Sequence, residues 1–222
     1  MQIRSFIIAY ALVLAILLFA DRRPGPAQQD RYSHVVDLTE GQNPPTLQTS
    51  AAGSRTHIIA PDALIPGTWT AGQIPPERLI APLVVMDLSV ASESSQQISL
   101  DDIAAWESHH GMIPQGAVVA IRDKASETRS ASDRPNTQLP IAGDAAQFLI
   151  DARYAIGFAV ETPVNFASDR ALARQIALHG SYVVEGAAHF TSLPPTGSLV
   201  IVAPAKNRKS GAVPVRVLAM VR

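Results

Sequence analysis

The sequence predicts an α/β fold in a single domain. Short apolar, β-branched runs alternate along the chain with segments that carry helix-capping residues. The run at 83–88 (Leu-Val-Val-Met-Asp-Leu) lacks polar alternation, which is typical of a strand covered on both faces. Strands that alternate with helices imply right-handed crossovers, so we expect helices on at least one face of the sheet. A length of 222 residues fits one domain with short appendages.

The predicted strands are short runs of Val, Ile, Leu, Ala and aromatic residues. They cover residues 34–38, 57–60, 83–88, 117–121, 156–160, 182–185, 199–203 and 215–221. Pro61 is expected to stop the second of them, because proline removes a backbone donor from the ladder.

Helices are predicted at 100–110, 144–154 and 169–179. Ser99 and Ser168 are the predicted N-caps of the first and third helices, and Gly111 and Gly180 the residues that end them. Ile103 and Trp106 of the first helix are expected to face the core. His109 and His110 fall in its last turn, where a donor or cation suits the negative helix end, so both are predicted to be structural.

The N-terminus is predicted to carry an export signal or a membrane anchor. Arg4 precedes an unbroken apolar run at 6–20, which is shorter than the roughly 20 residues of a spanning helix. Cleavage after Ala20 or Ala27 would place a small residue before the cut. Arg22 and Arg23 directly after the run favour an uncleaved anchor, so both forms stay open. The protein is therefore expected to be exported, to the periplasm or the exterior, or held at a membrane through this segment.

The remaining organisation follows from composition. Residues 1–20 form the signal or anchor, 21–33 a polar linker and 34–222 the folded domain. Residues 123–140 contain almost no apolar side chains and are predicted to form a loop, whose role the sequence leaves open.

Charge and cysteine content exclude several functions. The chain has 18 basic and 19 acidic side chains and no basic stretch typical of nucleic-acid binding, so we expect no nucleic-acid partner. It has no cysteine, which excludes disulfides, thiolate nucleophiles and cysteine-ligated metals. A Gly-x-Ser-x-Gly elbow is absent as well, so nucleophilic serine catalysis has no support and no catalytic residue is predicted.

Several stretches, taken in order, resemble one known family. They are residues 69–82 (Trp-Thr-Ala-Gly-Gln-Ile-Pro-Pro-Glu-Arg-Leu-Ile-Ala-Pro), 86–88, 101–103, 106–107, 110–117, 182–185 (Tyr-Val-Val-Glu), 193–197 and 210–217. In this order and spacing they are similar to the metal-dependent cyclase family, which includes kynurenine formamidase and isatin hydrolase. The resemblance covers about residues 34–221.

The resemblance implies an α/β domain with a mixed, barrel-like sheet flanked by helices, assembled as dimers or larger oligomers. Active members hydrolyse C–N amide bonds with one or two divalent cations, usually zinc or manganese. A bound dication lowers the pKa of its water and polarises the carbonyl, and it needs several fixed His and carboxylate ligands.

The family signature has the form His-x-Gly-Thr-His-x-Asp-x-Pro-x-His, and the matching stretch here is 53–63. Thr56, His57 and Pro61 match the signature. Gly53 stands in place of the first ligand His, Ile59 in place of the Asp, and Ala63 in place of the last His.

Two further family positions lie downstream, a His twelve residues before a ligand Glu. The Glu is kept as Glu185, whereas the His position holds Ala173. By the resemblance, His57 and Glu185 are therefore the candidate metal ligands that remain. Their structural alternatives are a buried His bonded to backbone, and a carboxylate paired with Arg174 or a backbone donor. A rebuilt site that adds His179 or His189 is a further alternative.

These substitutions predict a degenerate member of the family that holds no metal. We expect a binding protein, or a subunit that partners itself or an active paralogue in an oligomer, with a small molecule as a possible ligand. The alternatives are a divergent metal-dependent hydrolase of C–N amide bonds and a structural envelope protein.

Overall fold

The computed structural model describes residues 32–40, 56–88, 97–122, 138–206 and 211–222. They belong to one compact unit, Tyr32–Arg222. In these ranges, no helix combines the length and apolar character needed to cross a membrane. The predicted signal or anchor, most of the linker and most of the polar loop at 123–140 lie outside the described residues.

The described elements follow the predicted alternation of strands and helices. The strands are β1 (His34–Asp37), β2 (His57–Ile59), β3 (Ile80–Asp87), β4 (Val118–Arg122), β5 (Gly157–Val160), β6 (Tyr182–Glu185), β7 (Ser198–Pro204) and β8 (Ala212–Val221). The helices are α1 (Pro61–Leu64), α2 (Leu100–His110), α3 (Gly143–Arg153) and α4 (Arg170–Leu178), with 3-10 turns at Ala71–Gln73, Pro76–Arg78 and Phe190–Ser192.

The sheet closes into a mixed barrel. Its order is β1-β8-β2-β6-β5-β4-β3-β7, and a further pairing of β7 with β8 joins the ends, so β2 to β8 form a closed ring. Strands β3 to β6 are parallel, whereas β2, β7 and β8 pair antiparallel with their neighbours. The prediction of a mixed, barrel-like sheet flanked by helices is confirmed.

Alternate residues of the parallel strands enter different apolar layers. In β3, Leu83 and Val85 belong to the cluster that fills the barrel, and Val84 and Met86 to the cluster under the helices. The same alternation holds in β4 to β6. Because both faces are buried, these strands read as continuous apolar runs in the sequence.

Helix α2 has the predicted boundaries and caps. The Ser99 side chain accepts from the backbone N–H of Asp102, the Asp102 carboxylate reaches back to Ser99, and Gly111 ends the helix at φ 85°. Arg153 of α3 then clamps Glu107 of α2, with N···O distances of 2.7 and 2.8 Å. This hydrogen bond is the largest influence on the pKa of Glu107 and lowers it.

Three local predictions are corrected by the structure. Pro61 begins α1 at the first helical position, where its missing N–H costs nothing, and so does not merely stop β2. The N-cap of α4 is Asp169, whose side chain accepts from Leu172 N at 3.0 Å, whereas Ser168 donates to the carbonyl of Asn165. The predicted linker ran to residue 33, yet Ser33 N–H already donates to Val221 O at 2.6 Å.

Strands β3 and β8 begin three residues earlier than predicted, at Ile80 and Ala212. Each contains a proline near its start, Pro82 and Pro214, and the sequence pattern treats proline as a strand boundary. The paired partners of these prolines are Leu199 and His57.

Gly211, just before β8, lies against the backbone of α1. Its carbonyl accepts from Ala60 N–H at 2.6 Å, and a Cβ at this position would stand 2.7 Å from Ala63 Cα. We expect Gly211→Ala to lower the free energy of unfolding by about 1–3 kcal/mol, because backbone must shift to admit the methyl group. The measurement is urea unfolding of the variant and the wild type.

Gly143→Ala is the matched control, since a Cβ there meets nothing within 4 Å. It should leave stability unchanged or slightly raised because alanine favours a helix. Equal stability of both variants would contradict the close approach of Gly211 to α1.

Candidate functional site

The barrel brings His57 and Glu185 together. Strands β2 and β6 pair antiparallel with His57 directly opposite Glu185. Side chains of such partners have Cβ atoms about 5 Å apart. Ile58 and Val184 point into the barrel, so His57 and Glu185, one position along each strand, lie on the outer face. The sequence prediction that these residues form one remnant of a site thus has a geometric basis.

Glu185 is a partly buried carboxylate with a backbone donor. The Val164 N–H donates to its Oε1 at 3.1 Å. Burial raises the pKa of Glu185, and the Val164 donor and the neighbouring His57 oppose this without cancelling it. Of the two structural partners expected for Glu185, the backbone donor is confirmed, while Arg174 is exposed on α4.

The positions where the family has its other ligands carry no side-chain ligand atoms here. Ile59 packs against the apolar layer between barrel and helices. Ala63 is exposed on α1, and Ala173 is buried on α4. Gly53 lies outside the described residues.

A family-type metal does not fit the donor set. Within the described ranges, no group of three or more His, Asp or Glu side chains is placed to hold a metal ion. His57 and Glu185 supply one nitrogen and one carboxylate, whereas catalytic zinc sites use three protein ligands. We therefore derive no chemical step through a metal at this position.

His179 and His189 do not join this pair. His179 follows α4 and precedes the start of β6, whereas Glu185 lies at the end of β6. The Nε2 atom of His179 lies 3.2 Å from Asp151 Oδ1. His189 is exposed, with φ 63°, just before the 3-10 turn at Phe190–Ser192. The hypothesis of a rebuilt site with either His is not supported by their placement in the described structure.

Charged residues at the ends of the parallel strands were missed by the sequence prediction. Asp87 ends β3 and forms an ion pair with Arg122, which ends β4. Glu161 directly follows β5 and is 6% exposed. The carboxyl ends of parallel strands lie at one edge, where ligands commonly bind. The sequence signal that could have predicted this arrangement is a charged residue at the end of each buried apolar strand.

The raised pKa of Glu185 predicts a pH-dependent stability difference. A folded-state pKa above the unfolded one stabilises the fold at acidic pH, and this contribution is lost as pH rises through the folded-state pKa. Glu185→Gln keeps an acceptor for Val164 and does not ionise. Relative to the wild type, its free energy of unfolding should therefore rise between about pH 4 and pH 7. Urea unfolding at a series of pH values measures this.

Glu107→Gln is the control with the opposite sign. Arg153 lowers the pKa of Glu107, so that carboxylate stabilises the fold above its unfolded pKa and loses this effect on acidification. The Glu107→Gln variant should thus lose stability relative to the wild type as pH rises. The same trend in both variants would contradict the assignment for Glu185.

Comparison with known proteins agrees with the resemblance seen in the sequence. A family model described as cyclase matches residues 23–165. An isatin hydrolase from Roseibium aggregatum is 30% identical, in an alignment covering 76% of this chain and 71% of that protein.

Two solved structures share the fold along most of their length. Isatin hydrolase A from Labrenzia aggregata, bound to benzyl benzoate, superposes with a TM-score of 0.70 at 27% identity, covering 85% of this chain and 93% of that one. Isatin hydrolase A from Ralstonia solanacearum superposes with a TM-score of 0.68 at 25% identity, covering 85% of this chain and 92% of that one. Because the family model matches more than half of the chain, this chain belongs to the cyclase family of isatin hydrolase-like, metal-dependent hydrolases.

Proposed function

We propose that this chain is a cyclase-family protein without the family's metal-dependent amide hydrolysis, and that it works by binding. The observation that carries the proposal is Ile59. It stands where the family signature has Asp, and its partly buried side chain packs against the apolar layer under the helices. An isoleucine at this position offers no carboxylate to a cation.

The chemistry of amide hydrolysis supports the same conclusion. A divalent ion must be held by several ligands with one position left open for water or substrate. His57 and Glu185 alone would leave most of the coordination sphere to water. The raised pKa of Glu185 further weakens it as a ligand, because a cation binds the ionised carboxylate.

The alternative is a divergent hydrolase of C–N amide bonds. It is favoured by the direct pairing of His57 with Glu185, which keeps two family positions side by side. The relatives are named for hydrolysis of isatin, a cyclic amide. In this alternative the missing ligands would come from another part of the chain or from a second subunit.

The proposal includes the cellular localisation and the binding partners of the protein. The apolar run at 6–20 supports export or membrane anchoring. Its binding partner is a small molecule, a second copy of the chain or an active paralogue in an oligomer. A structural envelope protein would instead show neither ligand binding nor metal.

Hydrolysis assays separate the proposal from its main alternative. We expect no turnover of isatin or of an N-formyl arylamine above the uncatalysed rate, with zinc, with manganese or with chelator. An active isatin hydrolase, assayed in parallel, should lose its turnover with chelator.

Turnover that requires metal and falls at least about a hundredfold in His57→Ala would overturn the proposal in favour of the hydrolase. Turnover unaffected by His57→Ala and by chelator would indicate a contaminating enzyme and leave the proposal standing.

A further inference from the structure

A cavity of about 400 Å³ lies between the end of β3 and helix α2. It is separate from the His57–Glu185 pair, because two strands, β5 and β4, lie between β6 and β3 in the sheet. At about 4.8 Å per strand, β3 is on the order of 14 Å from β6. The volume is within the range of small-molecule sites.

The apolar wall of this cavity is fixed before any ligand arrives. Trp106 donates its indole N–H to Val85 O at 3.0 Å, which sets the plane of its ring. The ring of His110 stands 4.9 Å away, tilted by 49°. The clamp of Arg153 on Glu107, the next residue of α2, holds this turn of the helix. A rigid aromatic wall reduces the entropy lost on binding.

The charged groups of the cavity are engaged with other protein groups. Asp87 and Arg122 neutralise each other, and the Arg122 Nε–H is buried with no hydrogen-bond partner among the described residues. His109 Nδ1 lies 2.7 Å from Ala105 O, a contact that holds this ring at the rim of the cavity. Asp102, which also lines the cavity, is engaged in the cap of α2.

We propose that this cavity binds a neutral, planar aromatic molecule. Its rings pack against Trp106 and Met86, which line the cavity. An anion is disfavoured, because the guanidinium of Arg122 is already paired with Asp87, and Asp102 adds a second carboxylate to the described lining. The inference specifies the ligand of the proposed binding role, but it does not depend on whether the protein holds a metal.

The test is calorimetric titration of the full chain with 2-naphthol and with its charged analogue 2-naphthoate. We expect one equivalent of 2-naphthol to bind, and 2-naphthoate to bind at least about tenfold more weakly. This comparison uses the wild-type protein, so it does not rely on the folding of a variant. No binding of 2-naphthol up to about 1 mM, or equal binding of both compounds, would overturn the proposal.

Substitutions at two neighbouring alanines of α2 test whether the ligand binds in this cavity. Ala105 lines the cavity, whereas Ala104 does not, and both are exposed. We expect Ala105→Phe to weaken 2-naphthol binding at least about tenfold by filling the space, and Ala104→Phe to bind like the wild type. Equal affinities of the two variants would place the ligand elsewhere and contradict the assignment. Metal analysis of the same protein tests the loss of hydrolysis separately, so either claim can fail alone.

Discussion

The fold and its candidate site both depend on the long strand β8 that closes the barrel. One edge of β8 pairs with β7 from Val215 to Met220, and the other edge pairs first with β2 and then with β1. Strand β2 has only three residues and is held between β8 and β6. Without β8, strand β2 would have β6 as its single partner, and His57 would be held opposite Glu185 from one side only. The close approach of Gly211 to α1 anchors the start of β8 next to the same strand.

The alternation of side chains in β2 is also compatible with the proposed loss of the metal site. Side chains of β2 alternate between the barrel interior and the layer under the helices, so position 58 must be apolar whatever the protein does. Position 59 faces outward, where an acidic residue would serve a metal and an isoleucine serves packing. An acid at this partly buried position would need a partner, whereas Ile59 extends an existing apolar layer. Isoleucine at position 59 is thus compatible with a stable barrel, because it requires no change in the strands that pair with β2.

Much of the fold could be predicted from local sequence, and the site much less. Helix α2 was predictable to the residue, because Ser99, Asp102 and Gly111 are strong and independent boundary signals. The starts of β3 and β8 were missed because Pro82 and Pro214 read as breaks, although a strand of a closed barrel can tolerate them. His57 and Glu185 are far apart in sequence, so their pairing rests on antiparallel register that the sequence pattern alone does not reveal. The Asp87–Arg122 pair and the cavity beside Trp106 likewise require the parallel register of β3 with β4.

The most direct test of the central claim, a cyclase barrel that has lost its metal, is elemental analysis of the purified chain. The protein would be equilibrated with zinc and, separately, with manganese, and then freed of unbound ion before its metal content is measured. The account predicts background metal, equal in the wild type and in His57→Ala. Near-stoichiometric metal in the wild type that is lost in His57→Ala would contradict it, and would show that His57 and Glu185 are completed by ligands from elsewhere.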